Sequence, residues 1–497
     1  MSLKLGMVRG AATLSAARIA INLLSAASIV ILARLLTPDD FGIVAIASAV
    51  LSVVISVTEL YFFQALIQQQ EVSRGEIDSA WTLSLLRAVA VIAFCAAIAW
   101  PLTWMFSEPR LVPVFVIAGI TGAFMGFHNP LISLATRDMS FGPLVIFQIC
   151  QKGVGLGLAI ILALTFGNYW SIIIGNCVGA VLASLLSYFL IPYWPRLNFA
   201  HFGKIWGFSS WMFLNQLCET IGWRFDQLAI GLVLPGRQLG IYAVADNLAV
   251  IPSRELSVPL NIALFSGMSA INGDMPRLRR SYLSAQATLA MVTLPLVIGL
   301  ALVASPVVRV VLGEQWLECT PYVALLALAY AIASLNTSLR PMAMALGQTR
   351  LVFERELWIL LVKVPLILTG LLSAGLLGVA LGSLVAAVLG CAISYRYSTR
   401  LIGLSLAEQL RSHSLTFAGL AAMTTTLLGL QELTGMVEAL GDLAGLVVLV
   451  AVGGLAYAGS VLALWWIKGK PDGAVVEVMQ IAQRLLGAGR LRTKPAA

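Results

Sequence analysis

The sequence predicts an all-α integral membrane protein with about 14 transmembrane helices. Of its 497 residues, 59% are hydrophobic and 11% are charged, whereas a soluble domain has about 25% charged residues. The apolar residues form long runs, and a helix of roughly 20 such residues crosses a bilayer. The connections between runs are short and contain turn residues, such as TPDDFG at 37–42 and LPGR at 234–237. A soluble fold of this length could not bury so much apolar surface, so the composition requires a bilayer.

Composition also excludes several classes of function. The net charge of +8 does not indicate nucleic-acid binding, because the basic residues lie in short loops between apolar runs. The six cysteines are scattered and show neither zinc-ligand spacing nor a disulfide framework. We therefore expect no metal and no cofactor, apart from a coupling H+ or Na+ ion. The first apolar run has no small-residue cleavage site, which argues against a removable signal peptide.

Each long apolar run predicts one spanning helix. The predicted spans are residues 14–36, 41–66, 82–106, 112–136, 142–166, 169–192, 207–233, 239–268, 282–304, 320–345, 352–373, 376–395, 412–431 and 443–467. After the last span, residues 473–489 place Val475, Val478 and Met479 on one helical face with basic residues nearby. This pattern predicts an interfacial amphipathic helix.

The distribution of basic residues sets the expected orientation, since cytoplasmic loops are enriched in lysine and arginine. With the N-terminus in the cytoplasm, most of the 31 basic residues fall in cytoplasmic loops and helix ends. The opposite side then carries only Arg34, Arg110, Arg237 and Arg309. The bias predicts a multi-pass protein with both termini in the cytoplasm.

An internal repeat predicts the arrangement of the helices. Residues 41–75 resemble residues 239–273: FGIVAIA corresponds to LGIYAVA, and both stretches end in a glycine, Gly75 and Gly273. The copies are six spans apart and so share one orientation, as in transporters built from parallel repeats. We expect two six-helix lobes in pseudo-twofold relation around a central cavity. The predicted domains are an N-lobe (1–200), a C-lobe (201–405), two appended helices (406–470) and a cytoplasmic amphipathic tail (471–497).

Ionisable residues at membrane depth mark the candidate site, because charges in hydrocarbon are costly and usually face a bundle interior or a wet cavity. In the seventh predicted helix, Asn215, Glu219, Gly222 and Asp226 follow at intervals of four, three and four residues. This spacing places all four on one helical face.

The eighth predicted helix carries Arg254 at its centre, between Pro252 and Pro259. Each proline removes a backbone donor, so we expect a kink there. Lys152 and Lys363 occupy the fifth and eleventh helices, which are equivalent under the repeat, and we expect them to face each other across the cavity.

The expected site is a cationic, water-filled cavity for an anionic ligand, since arginine donates two parallel hydrogen bonds to phosphate. The expected substrate-binding residues are Arg224, Arg254, Lys152, Lys363, Arg340, Arg18, Asn215 and Asn247. The expected ion-coupling residues are Asp226, Glu219, Glu59, Asp246 and Glu255. An alternative stays open, in which these charges only hold helices together, for example as the pairs Arg254–Asp246 or Arg224–Glu219.

Several motifs carry a family resemblance. ARLLTPDDFGIVAIASAVLSV (33–53), followed by QALIQ (64–68), resembles the opening of bacterial oligosaccharide-lipid flippases of the polysaccharide transporter branch of the multidrug/oligosaccharidyl-lipid/polysaccharide (MOP) superfamily. Further matches follow in order and extend the resemblance over residues 10–400. They are RDMSF (137–141), FDQLAIG (225–231), LGIYAVADNLAVIP (239–252), LGEQW (312–316) and ALGQTR (345–350).

The resemblance implies a transporter of the bacterial inner membrane and not an enzyme. By alternating access it would move an undecaprenyl-diphosphate-linked sugar repeat unit from the inner to the outer leaflet, for lipopolysaccharide, exopolysaccharide, capsule or O-antigen biosynthesis. The implied partners are this polyprenyl-diphosphate-linked oligosaccharide, the bilayer, and polysaccharide polymerase or export proteins. Asp226 retains an acid that the family has in helix 7. Leu232 stands where the family commonly has a basic residue, which leaves the substrate's identity open.

Three alternatives remain open. A peptidoglycan-precursor flippase or another exporter of the superfamily would share the fold. A membrane-embedded polysaccharide polymerase or ligase would need a large outer loop with catalytic arginines or histidines, but the outer loops are short and the chain has three histidines. GVGLG (153–157) lies within a span and indicates helix packing rather than a nucleotide loop. A non-transporting partner of a synthesis complex would leave the polar residues at membrane depth without a purpose.

Overall fold

The computed structural model describes residues 20–22, 24–58, 72–135, 141–200, 210–271, 273–432, 441–471 and 473–485. All regular structure in these residues is helical. The helices are α1 (Ala20–Leu35), α2 (Pro38–Thr58), α3 (Arg74–Phe106), α4 (Leu111–Gly126), α5 (Pro130–Ala135), α6 (Gly142–Phe166), α7 (Trp170–Leu190), α8 (Ser210–Val233), α9 (Gly236–Ala270), α10 (Met275–Leu302), α11 (Ala304–Val311), α12 (Thr320–Ser334), α13 (Leu339–Ala345), α14 (Thr349–Ile402), α15 (Leu406–Ser412), α16 (Ser414–Glu432), α17 (Asp442–Ile467) and α18 (Ala474–Leu485), with a 3-10 helix at Glu314–Cys319.

The protein is a multi-pass helical membrane protein, as predicted. Within the described residues, eight helical segments are long and apolar enough to cross a bilayer, and α1 and α4 are shorter apolar helices. α8 and α9 are not among the eight, and these are the two helices in which the sequence concentrates its charges at membrane depth. The exact number of 14 spans stays a prediction.

Two predicted spans, 352–373 and 376–395, form the two legs of α14. The legs are separated by non-helical backbone at Ala374 and Gly375, where Gly375 has φ +58°. Glycine adopts this left-handed conformation without a steric penalty. On either side of the turn, a Cβ on Gly370 would lie 2.2 Å from the carbonyl oxygen of Gly378. The two legs therefore approach each other closely just beyond the turn.

Two other predicted spans are interrupted in the structure. The predicted span 112–136 is divided into α4 and α5, and Asn129 occupies the gap. The Asn129 amide donates to the carbonyl of Ile191 at 2.6 Å, and its oxygen accepts from the Leu131 amide at 2.9 Å. The predicted span 320–345 is likewise divided at residues 335–338, just before Pro341, whose ring nitrogen cannot donate to the preceding turn.

α9 is continuous through Pro252 and Pro259. The prolines that the sequence marked as a kink site thus leave the helix uninterrupted.

The chain groups into two compact units. Unit 1 comprises Met1–Ala245, Val311–Cys319 and Lys363–Val379, and unit 2 comprises Asp246–Val310, Thr320–Val362 and Ala380–Ala497. The predicted domain limits at residues 200, 405 and 470 stay predictions.

In unit 1, α6 and α7 pack through glycines. A Cβ on Gly175 would lie 2.6 Å from the carbonyl oxygen of Gly155, and one on Gly179 would lie 2.5 Å from that of Gln151. Small residues at these positions let the two backbones touch, as in other membrane helix pairs. Gly155, the central glycine of the GVGLG motif, therefore packs one helix against the other, as predicted, whereas Gly153 and Gly157 face open space.

In unit 2, α10 packs against α12, α16 and α18. Tyr282, which is fully buried, lies in a cluster with Met268, Leu339, Met342 and Tyr397. The predicted amphipathic helix forms at α18, and it contacts α10: the Glu477 carboxylate accepts hydrogen bonds from Ser284 and, at 2.7 Å, from Thr288. α18 is therefore amphipathic, and side-chain hydrogen bonds attach it to α10.

Candidate functional site

A buried carboxylate, a tyrosine and a lysine meet in unit 1. The hydroxyl of Tyr242 donates to Asp226 Oδ2 at 2.7 Å, and the Lys363 ammonium lies 3.5 Å from the same oxygen. Lys363 also donates to the backbone carbonyl of Gly222 at 2.6 Å. Asp226 is 5% exposed and Tyr242 is fully buried. We call Asp226, Tyr242 and Lys363 the carboxylate triad.

Three helices position the triad. Asp226 lies on α8, and Gly222 lies one turn earlier on the same face, so one lysine reaches both residues. Tyr242 lies on α9, which follows α8 after the short connection at Leu234 and Pro235. Asp226 and Tyr242 are about equally far from this connection, so they lie at a similar depth in the antiparallel pair.

The two carboxylate oxygens of Asp226 have different partners. Oδ2 has a hydroxyl donor and a nearby ammonium, whereas Oδ1 is buried and has no hydrogen-bond partner. A buried carboxylate is costly unless it is paired and fully hydrogen-bonded. A proton on Oδ1, or a hydrogen-bond donor placed next to it, would therefore be stabilising.

Arg224, on the same helix, has a polar rather than an acidic partner. Its Nη1 donates to Gln227 Oε1 at 3.1 Å, and Arg224 is half-buried whereas Gln227 is buried. Glu219 is half-buried one turn before Gly222. Glu219, Gly222 and Asp226 lie in one continuous helix, so their spacing places them on one helical face, as predicted.

In unit 2, the charged residues of α9 do not form the Arg254–Asp246 pair that the alternative interpretation of the sequence suggested. Arg254, whose side chain is 51% exposed, pairs with its neighbour Glu255 at 3.3 Å. Asp246 is buried and accepts a hydrogen bond from the Tyr330 hydroxyl at 2.5 Å. Asn247 is exposed beside it. An exposed guanidinium whose partner is only partly buried remains available to a ligand.

The other predicted cations lie apart from the triad in the chain. Lys152 is exposed on α6, and Arg340 is half-buried on α13, directly after the interruption at residues 335–338. Arg18 and Glu59 lie outside the described residues. Asn215 lies on α8, but its side chain is outside the description. The structure thus brings together Asp226 and Lys363 from the predicted set, and the assignment of the set to one site stays a prediction.

Sequence reasoning missed Tyr242 and Tyr330. Tyr242 belongs to the repeated LGIYAVA motif, and its distance from the turn matches that of Asp226, which is a signal that could have found it. Tyr330 lies on α12 in an apolar run with no distinguishing neighbour. Among the described residues, no group of three or more histidine, cysteine or acidic side chains converges as a metal site.

Comparison with known proteins gives one family and several relatives. The family described as "Polysaccharide biosynthesis protein" matches residues 31–321. A relative from Klebsiella pneumoniae, "Uncharacterized membrane protein in cps region", is 21% identical over 434 residues, 86% of this chain and 90% of that protein. "Lipopolysaccharide biosynthesis protein WzxC" of Escherichia coli (strain K12) is 23% identical and covers 80% and 81% of the two chains. "Succinoglycan biosynthesis transport protein ExoT" of Rhizobium meliloti (strain 1021) is 24% identical and covers 72% of each.

Solved structures share the fold. The chain resembles the inward closed conformation of the lipid II flippase MurJ with a TM-score of 0.74 and 14% identity, over 91% of this chain and 98% of that one. It resembles the inward-facing conformation of a multidrug resistance MATE family transporter of the MOP superfamily with a TM-score of 0.63 and 15% identity, over 78% and 98%. At these identities the likeness establishes the fold alone.

Proposed function

Because the chain belongs to the polysaccharide biosynthesis protein family, we propose that it is a flippase for lipid-linked oligosaccharides. It moves an undecaprenyl-diphosphate-linked repeat unit from the inner to the outer leaflet of the bacterial inner membrane. The termini lie in the cytoplasm, and the product is used for an extracellular polysaccharide, a capsule or an O-antigen. The names of the relatives support this proposal, since two of them describe lipopolysaccharide biosynthesis and succinoglycan transport.

The carboxylate triad is the observation from which we assign roles in transport to particular residues. A diphosphate cannot cross hydrocarbon unless fixed charges replace its water, because an isolated buried charge is prohibitively costly. Lys363 places an ammonium at membrane depth, and Asp226 balances its charge when no ligand is bound. A phosphate oxygen competes for that ammonium, since charge-assisted hydrogen bonds to phosphate are strong.

A proton exchange follows from this competition. When Lys363 turns to phosphate, Asp226 keeps only the Tyr242 hydroxyl, and an ionised carboxylate with one buried partner is unfavourable. Protonation at the unpartnered Oδ1 removes this cost. When the ligand leaves, the ammonium returns and the proton is released. The triad thereby links ligand movement to proton movement.

The charges that surround Asp226 are few among the described residues. α8 packs against α2 and α3, and α9 supplies Tyr242. The described acids of α2 are Asp39 and Asp40 in its first turn. On α3, Arg87 lies against Thr58 and Gly126. Lys363 is the cation that lies within ion-pair distance of Asp226.

The decisive experiment is a lipid analysis of a deletion strain. Lipids are extracted, undecaprenyl-diphosphate-linked species are identified by mass spectrometry, and their sidedness is tested with a sugar-modifying reagent that does not cross the membrane. Complete single repeat units that accumulate and are protected from the outside would establish the flippase and name its cargo. Single units that are accessible from outside would refute the proposal in favour of polymerisation or assembly, and accumulation of a peptide-bearing peptidoglycan precursor would assign the other cargo.

Variants of the triad test the residue assignment in the same assay. Asp226→Asn and Lys363→Met each leave a buried partner unbalanced, so both lose transport and some stability. The double variant removes both charges and therefore regains stability. If the double variant also regains transport, the pair is structural, and the proposed role of Lys363 is wrong.

A further inference from the structure

The LGEQW motif lies in a short segment that the carboxylate triad does not use. Residues Val311–Cys319 belong to unit 1, whereas the chain directly before and after them, ending at Val310 and resuming at Thr320, belongs to unit 2. We call this segment the 311–319 strap. A strap inserted in this way has to be released or carried along whenever the chain on either side of it moves.

The strap binds the end of α1. The Trp316 indole donates to the carbonyl of Ala33 at 2.7 Å, and the Gln315 side-chain amide donates to the same carbonyl at 2.6 Å and to that of Leu36 at 3.4 Å. In return, the Arg34 guanidinium donates to the carbonyl of Val311 at 3.3 Å. The last carbonyls of a helix have no partner within the helix. The strap therefore caps α1 with side-chain donors.

Packing reinforces these hydrogen bonds. Trp316 is fully buried and meets Phe41 of α2 edge to face, with ring centroids 5.3 Å apart and an interplanar angle of 89°. Leu312 and Cys319 are also fully buried. Glu318 pairs with Arg237, at the start of α9, at 2.6 Å. The strap thus joins the ends of three helices that the basic-residue bias places on the outer side.

We infer that the 311–319 strap is a latch that holds the outer ends of α1, α2 and α9 together in this conformation and detaches when the outer side opens. The direction of opening rests on the proposed function and its orientation. Detachment is reversible because the freed carbonyls and the Gln315 amide reach water at the membrane surface. Gln315 is exposed and both carbonyls terminate a helix, so water replaces the bonds that are lost.

Cys319 reports on the latch. It is buried while the strap is attached. The five other cysteines (Cys95, Cys150, Cys177, Cys218 and Cys391) form no disulfide bond and are changed to alanine, so that Cys319 is the single thiol of the parent protein. Its reaction with a membrane-impermeant maleimide is followed in right-side-out and in inverted membrane vesicles. Trp316→Phe keeps an aromatic ring but removes the indole N–H donor. Gln315→Leu keeps a side chain of similar size but removes the amide donor.

We expect slow labelling of the parent and labelling roughly threefold to tenfold faster in each variant, from the outer side, because each loses a net hydrogen bond. Trp465→Phe is the control, since the Trp465 indole also donates to a carbonyl, that of Pro471 at 3.0 Å, but is half-buried and lies in unit 2. Equal rates in the parent and both latch variants would overturn the latch, as would an equal acceleration in Trp465→Phe. Faster labelling only in inverted vesicles would place the strap on the cytoplasmic side and reject its outer role. The lipid analysis described above fails or succeeds independently of these rates.

Discussion

Gly42 and Gly240 occupy equivalent positions in the two copies of the internal repeat, and each contacts the other copy in the same way. A Cβ on Gly42 would lie 2.0 Å from the carbonyl oxygen of Gly236, and a Cβ on Gly240 would lie 1.8 Å from that of Pro38. The repeat aligns Pro38 with Gly236, so the two contacts are reciprocal. Reciprocity of this kind is what a twofold axis produces at an isologous contact. The contact supports the duplication that FGIVAIA and LGIYAVA suggested.

Alanine at either glycine should therefore damage the fold. The added methyl group meets backbone atoms that cannot rotate away, so Gly42→Ala and Gly240→Ala should each destabilise the protein by about 1–3 kcal/mol or more. Thermal unfolding of the purified protein in detergent measures the effect. Gly267→Ala, also on α9, is the matched control because a Cβ there meets open space. Unfolding temperatures that are alike in all three variants would contradict the close contact.

The helical architecture was predictable because a bilayer requires long apolar segments, and most predicted spans coincide with helices of the structure. Their interruptions were not predictable in the same way. Pro252 and Pro259 lie within a continuous helix, whereas the interruption at Asn129 depends on bonds to Ser187 and Ile191, more than fifty residues away. Local sequence marks where a helix can break, and tertiary partners decide whether it does.

The candidate site was predictable in part. Asp226 could be named because a carboxylate at membrane depth is rare, and Lys363 for the same reason. Their pairing was not predictable, since 137 residues separate them in the sequence. Tyr330 looks like an ordinary residue of an apolar run, and its hydroxyl contact alone reveals a role, whereas Tyr242 could have been found from its distance to the turn between α8 and α9.

Arg254 is predicted to act in transport rather than in stability. Its side chain is half exposed and its partner Glu255 is adjacent, so its removal leaves little buried surface or charge uncompensated. Arg254→Ala should reduce export by about tenfold or more if the guanidinium binds phosphate. Export is measured per amount of protein in the membrane. Glu255→Gln is the control for the ion pair, and normal export by Arg254→Ala would remove this residue from the site.

The loop between α3 and α4 should show a pH-dependent contribution to stability. Arg110 donates to both carboxylate oxygens of Glu108 at 2.7 Å, which lowers the pKa of Glu108 from its ordinary value of 4.5. A lowered pKa contributes stability above the ordinary value, and this contribution is lost as the pH falls through the folded-state pKa. Because the pair is partly exposed, solvent screening keeps the effect small.

Glu108→Gln should therefore lower the Tm by about 1–2 °C at pH 7 and by nothing measurable below the folded-state pKa of Glu108. Differential scanning fluorimetry across this pH range measures the difference. Arg110→Gln removes the other partner of the same pair and should lose the same pH-dependent contribution. A Tm difference that persists unchanged in acid would rule out the Glu108–Arg110 pair as its cause.

The Glu477 carboxylate attaches α18 to α10. Ser284 and Thr288 lie one turn apart on α10, so their hydroxyls face the same way and bind the two oxygens of the Glu477 carboxylate. Val475, two residues earlier, is buried. Glu477→Ala removes both bonds at once and should weaken the docking of α18 by about 1.5–3 kcal/mol, the range for a hydrogen bond to a charged group.

Limited trypsin digestion of inverted vesicles measures this docking, because Lys468 is exposed in the connection that precedes α18. Cleavage after Lys468 should be faster in Glu477→Ala, and the Ser284→Ala, Thr288→Ala double variant should behave alike, since either change removes the same two bonds. Glu354→Ala, at an exposed ion pair with Arg350 elsewhere in unit 2, should cleave like the parent. If Glu477→Ala is cut no faster than the parent, then the apolar face around Val475 holds α18 in place and the carboxylate does not.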